Sequence, residues 1–165
     1  MKIFFRLGLL AAVAALGCWL WTVLFPSPEK AVLKKVSALA ETATFSADAS
    51  SLTRAGKASS MVSLFANDAE IVLDIAGVVT RTLSGREEIR EVTLGGFVNL
   101  PSLKAEFLDA TAKISADKKS AEVSCTAKLQ AGSQKDFGVQ ELRFRFKLVE
   151  NNWLITRLET VKTLQ

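Results

Sequence analysis

The chain has 165 residues, of which 49% are hydrophobic and 23% charged, so one packed domain with a short appendage is expected. Its formal charge is +4, but Lys2 and Arg6 supply part of this excess, and elsewhere basic residues alternate with acidic ones. Nucleic-acid binding is therefore not expected, because phosphate binding needs a clustered positive surface.

Histidine and tyrosine are absent from the sequence, and its two cysteines, Cys18 and Cys125, lie far apart. Histidine is the commonest general acid–base group and metal ligand, and zinc sites need clustered cysteine or histidine. The composition therefore predicts neither a metal site nor another cofactor. A disulfide is not expected either, because one cysteine lies in an apolar N-terminal segment and the other in the domain.

The first predicted element is an apolar helix over residues 3–25, long enough at 1.5 Å per residue to cross a hydrocarbon layer of ~30 Å. Lys2 and Arg6 place its start on the cytoplasmic side. Trp19 and Trp21 lie near its other end, where aromatic rings prefer the membrane interface. We therefore predict a single-pass membrane anchor. In a bacterium it would lie in the inner membrane and hold the domain in the periplasm.

Two alternatives stay open for this segment. A cleaved secretory signal would also be apolar, although this run is long for one and no Ala-x-Ala sequence ends it. A lipoprotein signal would use Cys18 after Ala15-Leu16-Gly17, but cleavage there would leave an apolar, Trp-rich stretch on the mature chain. With the anchor preferred, the chain divides into residues 1–27 and a domain over residues 28–165.

Three helices are predicted in the domain. Ser27 and Pro28 have the N-cap and first-turn pattern of a helix that runs to about Thr44. A second helix is predicted over Leu52–Ala66, with Asn67-Asp68 ending it. The buried stripe of the first helix is expected to be Val32, Val36, Leu39 and Ala43. A third helix is predicted to open on the capping box Ser84-Gly85-Arg86-Glu87 and to end near Gly95-Gly96.

Six strands complete the predicted order. Glu70–Ala76 and Val78–Leu83 form a hairpin turning at Gly77. The four longer strands are Leu103–Ser115, Ala121–Ala131, Phe137–Glu150 and Trp153–Val161. Their regular alternation predicts an antiparallel sheet with one buried face and one face in water. We therefore predict an α+β fold in which a strongly curved antiparallel sheet of about six strands wraps on three helices, as a cone around a cavity.

Three segments carry a resemblance to a known family: Leu64–Ala69, Ser84–Arg90, and the closing Asn151-Asn152-Trp153-Leu154-Ile155. In order and spacing they resemble the nuclear transport factor 2-like superfamily, which includes ketosteroid isomerase and polyketide-cyclase-like proteins. The resemblance covers about residues 28–161. It implies the cone fold but no single function, because this fold hosts many unrelated roles.

The resemblance also suggests site residues. Enzymes of the superfamily usually carry an aspartate base in the first hairpin, which corresponds to Asp74, but the tyrosine or histidine partner is missing here. Strand alternation places Asp74 opposite Ile71 and Leu73, so a hydrogen-bonded strand aspartate is the alternative to a catalytic one. An open cone would be lined by Phe65, Asp74, Arg90, Phe97 and Phe144.

Four other features invite a functional interpretation. Asp109 falls by alternation on the Phe107 face, apart from the face predicted for Leu108, Ala110, Ala112 and Ile114. Cys125 lies on an apolar strand face, which predicts a buried, unreactive thiol. Trp153 is expected to anchor the core. A basic patch on the outer sheet face, or ion pairs with Glu141 and Glu159, would involve Arg143, Arg145, Lys147 and Arg157.

Two functions follow from these expectations. The preferred one is a non-catalytic, membrane-anchored module that dimerises or binds a protein through its sheet face. The alternative is a binder of small lipophilic ligands, or an isomerase- or cyclase-like enzyme, that uses the cone cavity. An interior filled by phenylalanine side chains would argue against the enzyme; those concerned are Phe65, Phe97, Phe107 and Phe144.

Overall fold

A computed structural model describes residues 27–75, 79–132 and 138–161, together with Gly17. These ranges contain three helices: α1 (Pro28–Ala43), α2 (Ser51–Val62) and α3 (Arg86–Asn99). They also contain six strands: β1 (Phe65–Ile75), β2 (Val79–Ser84), β3 (Leu103–Ile114), β4 (Ser120–Ala131), β5 (Gly138–Val149) and β6 (Asn152–Thr160). The predicted α+β cone of three helices and about six strands is confirmed for the described part of the chain.

The sheet is mixed, whereas a wholly antiparallel one was expected. Its strand order is β2-β1-β6-β5-β4-β3, and β1 pairs in parallel with β6. The other neighbours are antiparallel. The chain leaves the β1–β2 hairpin through α3, starts again at the far edge with β3, and returns strand by strand until β6 meets β1. Alternation in a sequence shows which side of a strand is buried, but it does not show the direction of the neighbour.

Helix α1 forms as predicted. The hydroxyl of Ser27 caps it by accepting a hydrogen bond from the Lys30 amide at 3.4 Å, and Pro28 occupies the first turn. The four residues of the predicted stripe are its buried residues, Val32, Val36, Leu39 and Ala43. The helix packs against β3, so its apolar face closes one side of the sheet.

Helix α2 is shorter than predicted, and the strand after it is longer. The helix ends at Val62, and Phe65 already belongs to β1, where it pairs with Ile155 of β6. The side chain of Arg86 holds this junction by donating to the Phe65 carbonyl, with Nε at 2.9 Å. The predicted helix over Phe65 and Ala66 is therefore wrong. Partners distant in sequence, which satisfy the backbone as a strand, decide the boundary.

Helix α3 begins one residue later and ends later than the sequence indicates. Gly85, at φ 85°, is the N-cap, and no side chain caps the helix. The carboxylate that reaches back is that of Glu88, which accepts from the Ser84 amide at 2.8 Å. Gly95 and Gly96 lie inside the helix, which runs to Asn99 because Phe97 is buried against Phe45. Burial of Phe97 offsets the low helix propensity of the two glycines.

A bulge in β3 changes which of its side chains face the core. The β3–β4 register shifts between Leu108 and Thr111, and Asp109 has a φ of 53°. Phe107 packs against the core, whereas Leu108 is 37% exposed. Past the bulge, Ala110, Ala112 and Ile114 pack inwards. The prediction that Leu108 shares their face is wrong, because the bulged residue reverses the alternation.

The core has two parts. The main cluster joins the inner sheet face to the helices, and its fully buried members include Leu39, Phe65, Ile89, Val123, Phe144, Phe146 and Ile155. The smaller cluster is built on Phe45, Ala58 and Phe97, with the Phe45 and Phe97 ring centroids 4.9 Å apart. Arg54 covers it, with its guanidinium 5.2 Å from the Phe45 ring centroid.

The anchor prediction falls largely outside the described residues. Of residues 3–25, only Gly17 lies within them. No helix in the described part of the chain is long and apolar enough to cross a membrane. The predicted turn at Gly77 and the predicted strand start at Phe137 also lie outside the described residues.

Candidate functional site

The inner face of the sheet, where a cone enzyme would bind its substrate, is packed with aromatic side chains. Phe65 and Phe144 are fully buried in the main cluster. The Phe144 ring centroid lies 5.8 Å from that of Phe107 and 6.2 Å from that of Phe146. These four side chains occupy the space between sheet and helices and stabilise the core by burial and by ring contacts.

The structure brings together only part of the predicted pocket lining. Phe65 and Phe144 share the main cluster, whereas Phe97 belongs to the smaller one. Arg90 is exposed on α3 and lies 3.5 Å from the Glu87 carboxylate, one helical turn away. The five predicted lining residues therefore do not share one described cluster. Their assignment to a site stays a prediction.

Asp74 lies near the hairpin end of β1 and alternates with Ile71 and Leu73, which pack in the core. Its carboxylate accepts a hydrogen bond from the Thr80 hydroxyl at 3.3 Å. Its amide donates to the Thr160 hydroxyl at 2.8 Å. Asp74 is thus held by polar groups of the strands on either side of β1, as the hydrogen-bonded alternative expected.

Cys125 and Trp153 are buried, as their positions in the strands predicted. Burial raises the pKa of the Cys125 thiol to about 11, so it stays protonated and a poor nucleophile at neutral pH. Asp109, in contrast, is exposed at the β3 bulge. Neither Cys125 nor Asp109 belongs to a group of potential metal ligands within the described residues.

The outer face of the sheet carries a chain of ion pairs across four strands, here called the ion-pair ribbon. It consists of Glu70 on β1, Arg157 and Glu159 on β6, Arg143 and Arg145 on β5, and Glu122 on β4. Glu159 lies at its centre, with oxygens 2.7 Å from Arg157, 3.5 Å from Arg143 and 3.8 Å from Arg145. The prediction of cross-strand pairs is confirmed for Glu159, whereas Arg143 pairs on its other side with Glu122.

The charges of the ribbon balance one another. Three arginines face three glutamates, so its formal charge is zero. The hydrogen bond from Arg157, followed by the nearby arginine charges, lowers the pKa of Glu159 below its usual value near 4.5. A network that already satisfies its own charges has little electrostatic attraction left for a charged ligand.

A groove of about 690 Å³ opens beside the ribbon, where the turn between β3 and β4 meets β5 and β6. Its charged and hydroxyl-bearing side chains alternate along their strands with core residues such as Ala112, Val123 and Phe144, and so lie on the outer face. The core residues Ile114, Ala121 and Phe146 form its apolar part. Its charged lining residues are Lys113, Asp117, Lys119, Glu122, Arg145 and Lys147. Four basic and two acidic side chains give it a formal charge of +2. Hydroxyl groups line it at Ser115, Ser120 and Thr156.

The sequence did not reveal this groove. It marked Asp117-Lys118-Lys119-Ser120 as a turn and Arg143, Arg145, Lys147 and Arg157 as one possible patch. The structure divides that patch, because Arg143 and Arg157 are paired in the ribbon and Lys147 lines the groove. Pairing of Ser120 with Lys147 brings the turn beside β5. That register depends on contacts distant in sequence, so the positions of the lysines in the sequence do not predict it.

No protein-family model and no curated protein matches the sequence. Solved structures do match the fold. An NTF2-like protein with a cystatin-like fold from Novosphingobium aromaticivorans is 18% identical, with 92% of this chain and 88% of that chain covered and a TM-score of 0.61. An NTF2-like protein of unknown function from Pseudomonas putida is 8% identical, with 86% and 90% covered and a TM-score of 0.65. A candidate scytalone dehydratase from Novosphingobium aromaticivorans is 14% identical, with 82% and 83% covered and a TM-score of 0.59.

These similarities establish that the domain has the NTF2-like, cystatin-like cone fold, as the sequence resemblance implied. At such identities they carry the fold alone. The same fold serves proteins of different or unknown activity, so function must be argued from the surfaces of this chain.

Proposed function

We propose that this chain is a membrane-anchored, non-catalytic binding module that acts through the outer face of its sheet. The observation that carries the proposal is the contrast between the two faces. The inner face is packed with phenylalanine side chains, among them Phe65 and Phe144, whereas the outer face presents a solvent-open groove of about 690 Å³. Pockets lined by convergent polar groups are the usual places where proteins bind ligands or partners.

The anchor in this proposal rests on the sequence of residues 3–25. Their apolar length suits a bilayer, and Lys2 and Arg6 at the start favour a cytoplasmic N-terminus. The domain then lies across the membrane, in the periplasm of a bacterium. A phosphatase reporter fused after Gln165, which folds only outside the cytoplasm, is expected to be active. A fusion active only with a cytoplasmic reporter would contradict this topology.

A protein partner, with a second copy of this chain as the simplest case, is proposed for the middle of the outer face, around Ser124 and away from the groove. Ser124 lies exposed near the middle of that face on β4, beside Arg143 of the ribbon. We expect Ser124→Arg to weaken self-association of the full chain in detergent, as measured by sedimentation. Ser59→Arg places the same group on an exposed position of α2 and serves as the control. A chain that is monomeric at every concentration would contradict the homodimer.

The second candidate, a cavity-using ligand binder or an isomerase- or cyclase-like enzyme, is favoured by one observation. A structural neighbour is named a candidate scytalone dehydratase, and Asp74 occupies the first hairpin of this domain. Xenon-pressurised crystals of the domain test it, because xenon enters apolar space that is open. Xenon between the sheet and the helices, near Phe144, would favour this candidate. Its absence there, with xenon bound elsewhere, would favour the non-catalytic module.

A further inference from the structure

One end of the domain, here called the base, gathers three segments that are distant in sequence. The Lys35 ammonium on α1 donates to the Asn152 side chain at 2.7 Å, which places the first half of α1 beside the β5–β6 turn. The Leu148 amide donates to the Lys119 carbonyl at 2.8 Å, which places the β3–β4 turn beside the same hairpin. The C-terminal end of α1 contacts the opposite end of β3, through Thr44 and Ala105. Pro28, where the chain enters the domain, therefore lies at the base.

The groove described above opens at this base and holds more basic than acidic side chains. The ammonium groups of Lys113, Lys119 and Lys147 form no ion pair with the residues that the structure describes. The two acids of the groove are already engaged. Asp117 accepts from the Ser115 hydroxyl and from the Lys119 amide, and Glu122 lies 3.8 Å from Arg143. With four basic and two acidic side chains, the groove keeps a formal charge of +2, which favours an external anion.

Several basic side chains at the other end of the domain contact groups of the protein itself. Arg54 donates four hydrogen bonds to main-chain carbonyls, among them that of Leu100 at 2.7 Å. Lys57 donates to the Glu41 carbonyl at 3.0 Å, and Lys104 lies 2.8 Å from the Glu106 carboxylate. These three cations of the other end thus contact main-chain carbonyls or a carboxylate, whereas Lys113, Lys119 and Lys147 form no ion pair among the described residues.

We propose that the base groove docks the domain on the phosphate headgroups of anionic lipids, in the membrane that holds residues 3–25. This inference rests on the proposed anchor. The three links from Phe25 to Pro28 extend over at most about 11 Å. That short reach keeps Pro28, and with it the base, close to the membrane surface. In the docked state the groove lysines would lie within the Debye length of about 8 Å at physiological ionic strength.

Lipid is preferred to an acidic protein segment because of this position. A tethered base meets the headgroups at high local concentration, whereas a soluble partner must be recruited. Exposed Lys30 and Lys34 on the first turns of α1 and Lys118 in the β3–β4 turn add positive charge at the same end, and they outnumber its exposed acids Glu29 and Glu150. Each basic side chain near an anionic surface strengthens binding about fivefold. Three groove lysines together therefore shift the docked-to-undocked ratio by about a hundredfold.

The test uses the full chain inserted into nanodiscs of phosphatidylcholine alone or of three parts phosphatidylcholine to one part phosphatidylglycerol. Acetylation of each lysine by an activated ester is followed by mass spectrometry. We expect Lys113, Lys118, Lys119 and Lys147 to become several-fold less reactive in the anionic discs. The protection should vanish in about 1 M salt, where the Debye length falls to about 3 Å. Lysines of the other end should not respond; these are Lys57, Lys104 and Lys128.

Two variants with the same charge change separate docking from bulk electrostatics. In K113Q/K119Q/K147Q, Lys118 remains as a reporter in the turn and is expected to lose its protection in anionic discs. In K57Q/K104Q/K128Q, which removes three charges away from the base, Lys118 should stay protected. Circular dichroism of each variant verifies that the fold is retained.

The outcomes separate the inference from the proposal beneath it. A chain that fails to insert into neutral discs would disprove the anchor itself, and lipid docking with it. A chain that inserts, but whose base lysines react equally in both kinds of disc, would overturn lipid docking and leave the anchor standing. Protection of the base lysines by polyglutamate in neutral discs, without protection by phosphatidylglycerol, would assign the groove to an acidic protein segment and would also overturn lipid docking.

Discussion

Phe144 and Arg143 are neighbours on β5, yet they serve opposite sides of the sheet. The Phe144 side chain is wholly buried between two other rings, whereas Arg143 bridges a carboxylate on β4 and another on β6. The inner face stabilises the fold through packing, which depends on the shapes of its side chains. The outer face contributes a balanced ion-pair ribbon and a cationic groove beside it. In this domain the inner face therefore serves stability, and the binding that we propose falls to the outer face.

The largest effect should come from opening the inner face. Phe144→Ala removes a ring that contacts Phe107 and Phe146, and we expect it to lower the free energy of unfolding by about 3–5 kcal/mol. Chemical denaturation of the full chain in detergent, followed by circular dichroism, measures this loss. Val98→Ala, at a position 60% exposed on α3, is the control and should change stability by less than about 0.5 kcal/mol.

A pair of substitutions at the β3 bulge tests which side chain belongs to the inner face. Phe107→Ala should cost about 2–3 kcal/mol, because Phe107 packs against Phe144. Leu108→Ala should cost less than about 1 kcal/mol, because its side chain is on the outer face. The same denaturation experiment measures both. The reverse ranking would mean that the strand keeps its simple alternation, with the Leu108 side chain in the core.

A smaller effect is expected from the centre of the ribbon. Glu159→Gln removes the charge shared by Arg157, Arg143 and Arg145 and should cost about 1 kcal/mol at neutral pH. Because folding lowers the pKa of Glu159, its stabilisation is present above its usual value near 4.5 and is lost as the pH falls through the lower, folded-state pKa. Denaturation at pH values on both sides of that range should give a shallower loss for the variant. Equal acid sensitivity of both proteins would show that Glu159 does not carry the effect.

The last prediction concerns the reactivity of the buried Cys125 thiol and needs no change in stability. With a pKa of about 11, about one Cys125 thiol in a thousand is ionised at pH 8. In a Cys18→Ser background, iodoacetamide should therefore label the native protein at least about a hundredfold more slowly than the urea-unfolded protein. Rapid labelling of the native chain would place Cys125 at a reactive, accessible site on the inner face.

Much of the fold could be predicted from local patterns. The stripe of Val32, Val36 and Leu39 predicts both α1 and its buried face, because helical periodicity and burial report the same side. The alternation of Leu142, Phe144 and Phe146 with arginines likewise predicts the two faces of β5. Boundaries were less predictable. The region around Phe65 is apolar and suits a helix or a strand, and only its pairing with Ile155 and the Arg86 hydrogen bond select the strand.

Candidate site residues were the least predictable. Asp74 could be placed on the correct strand, but its contacts with Thr80 and Thr160 come from neighbouring strands. The groove draws lysines from β3, from the β3–β4 turn and from β5. Each of these lysines alone has the pattern of an ordinary solvent-exposed residue. Their common location follows from strand register, which depends on contacts distant in sequence.

The sequence by itself determined the α+β class, the three helices, the six strands and the apolar segment before them, because each is a local pattern of burial and charge. Only the tertiary structure decided that β6 lies parallel to β1, that Leu108 faces outwards, and that Lys113, Lys119 and Lys147 share one groove. The reason is physical: periodicity records which side of an element meets water, whereas strand direction, bulges and groups of charges are set by which distant segments pair.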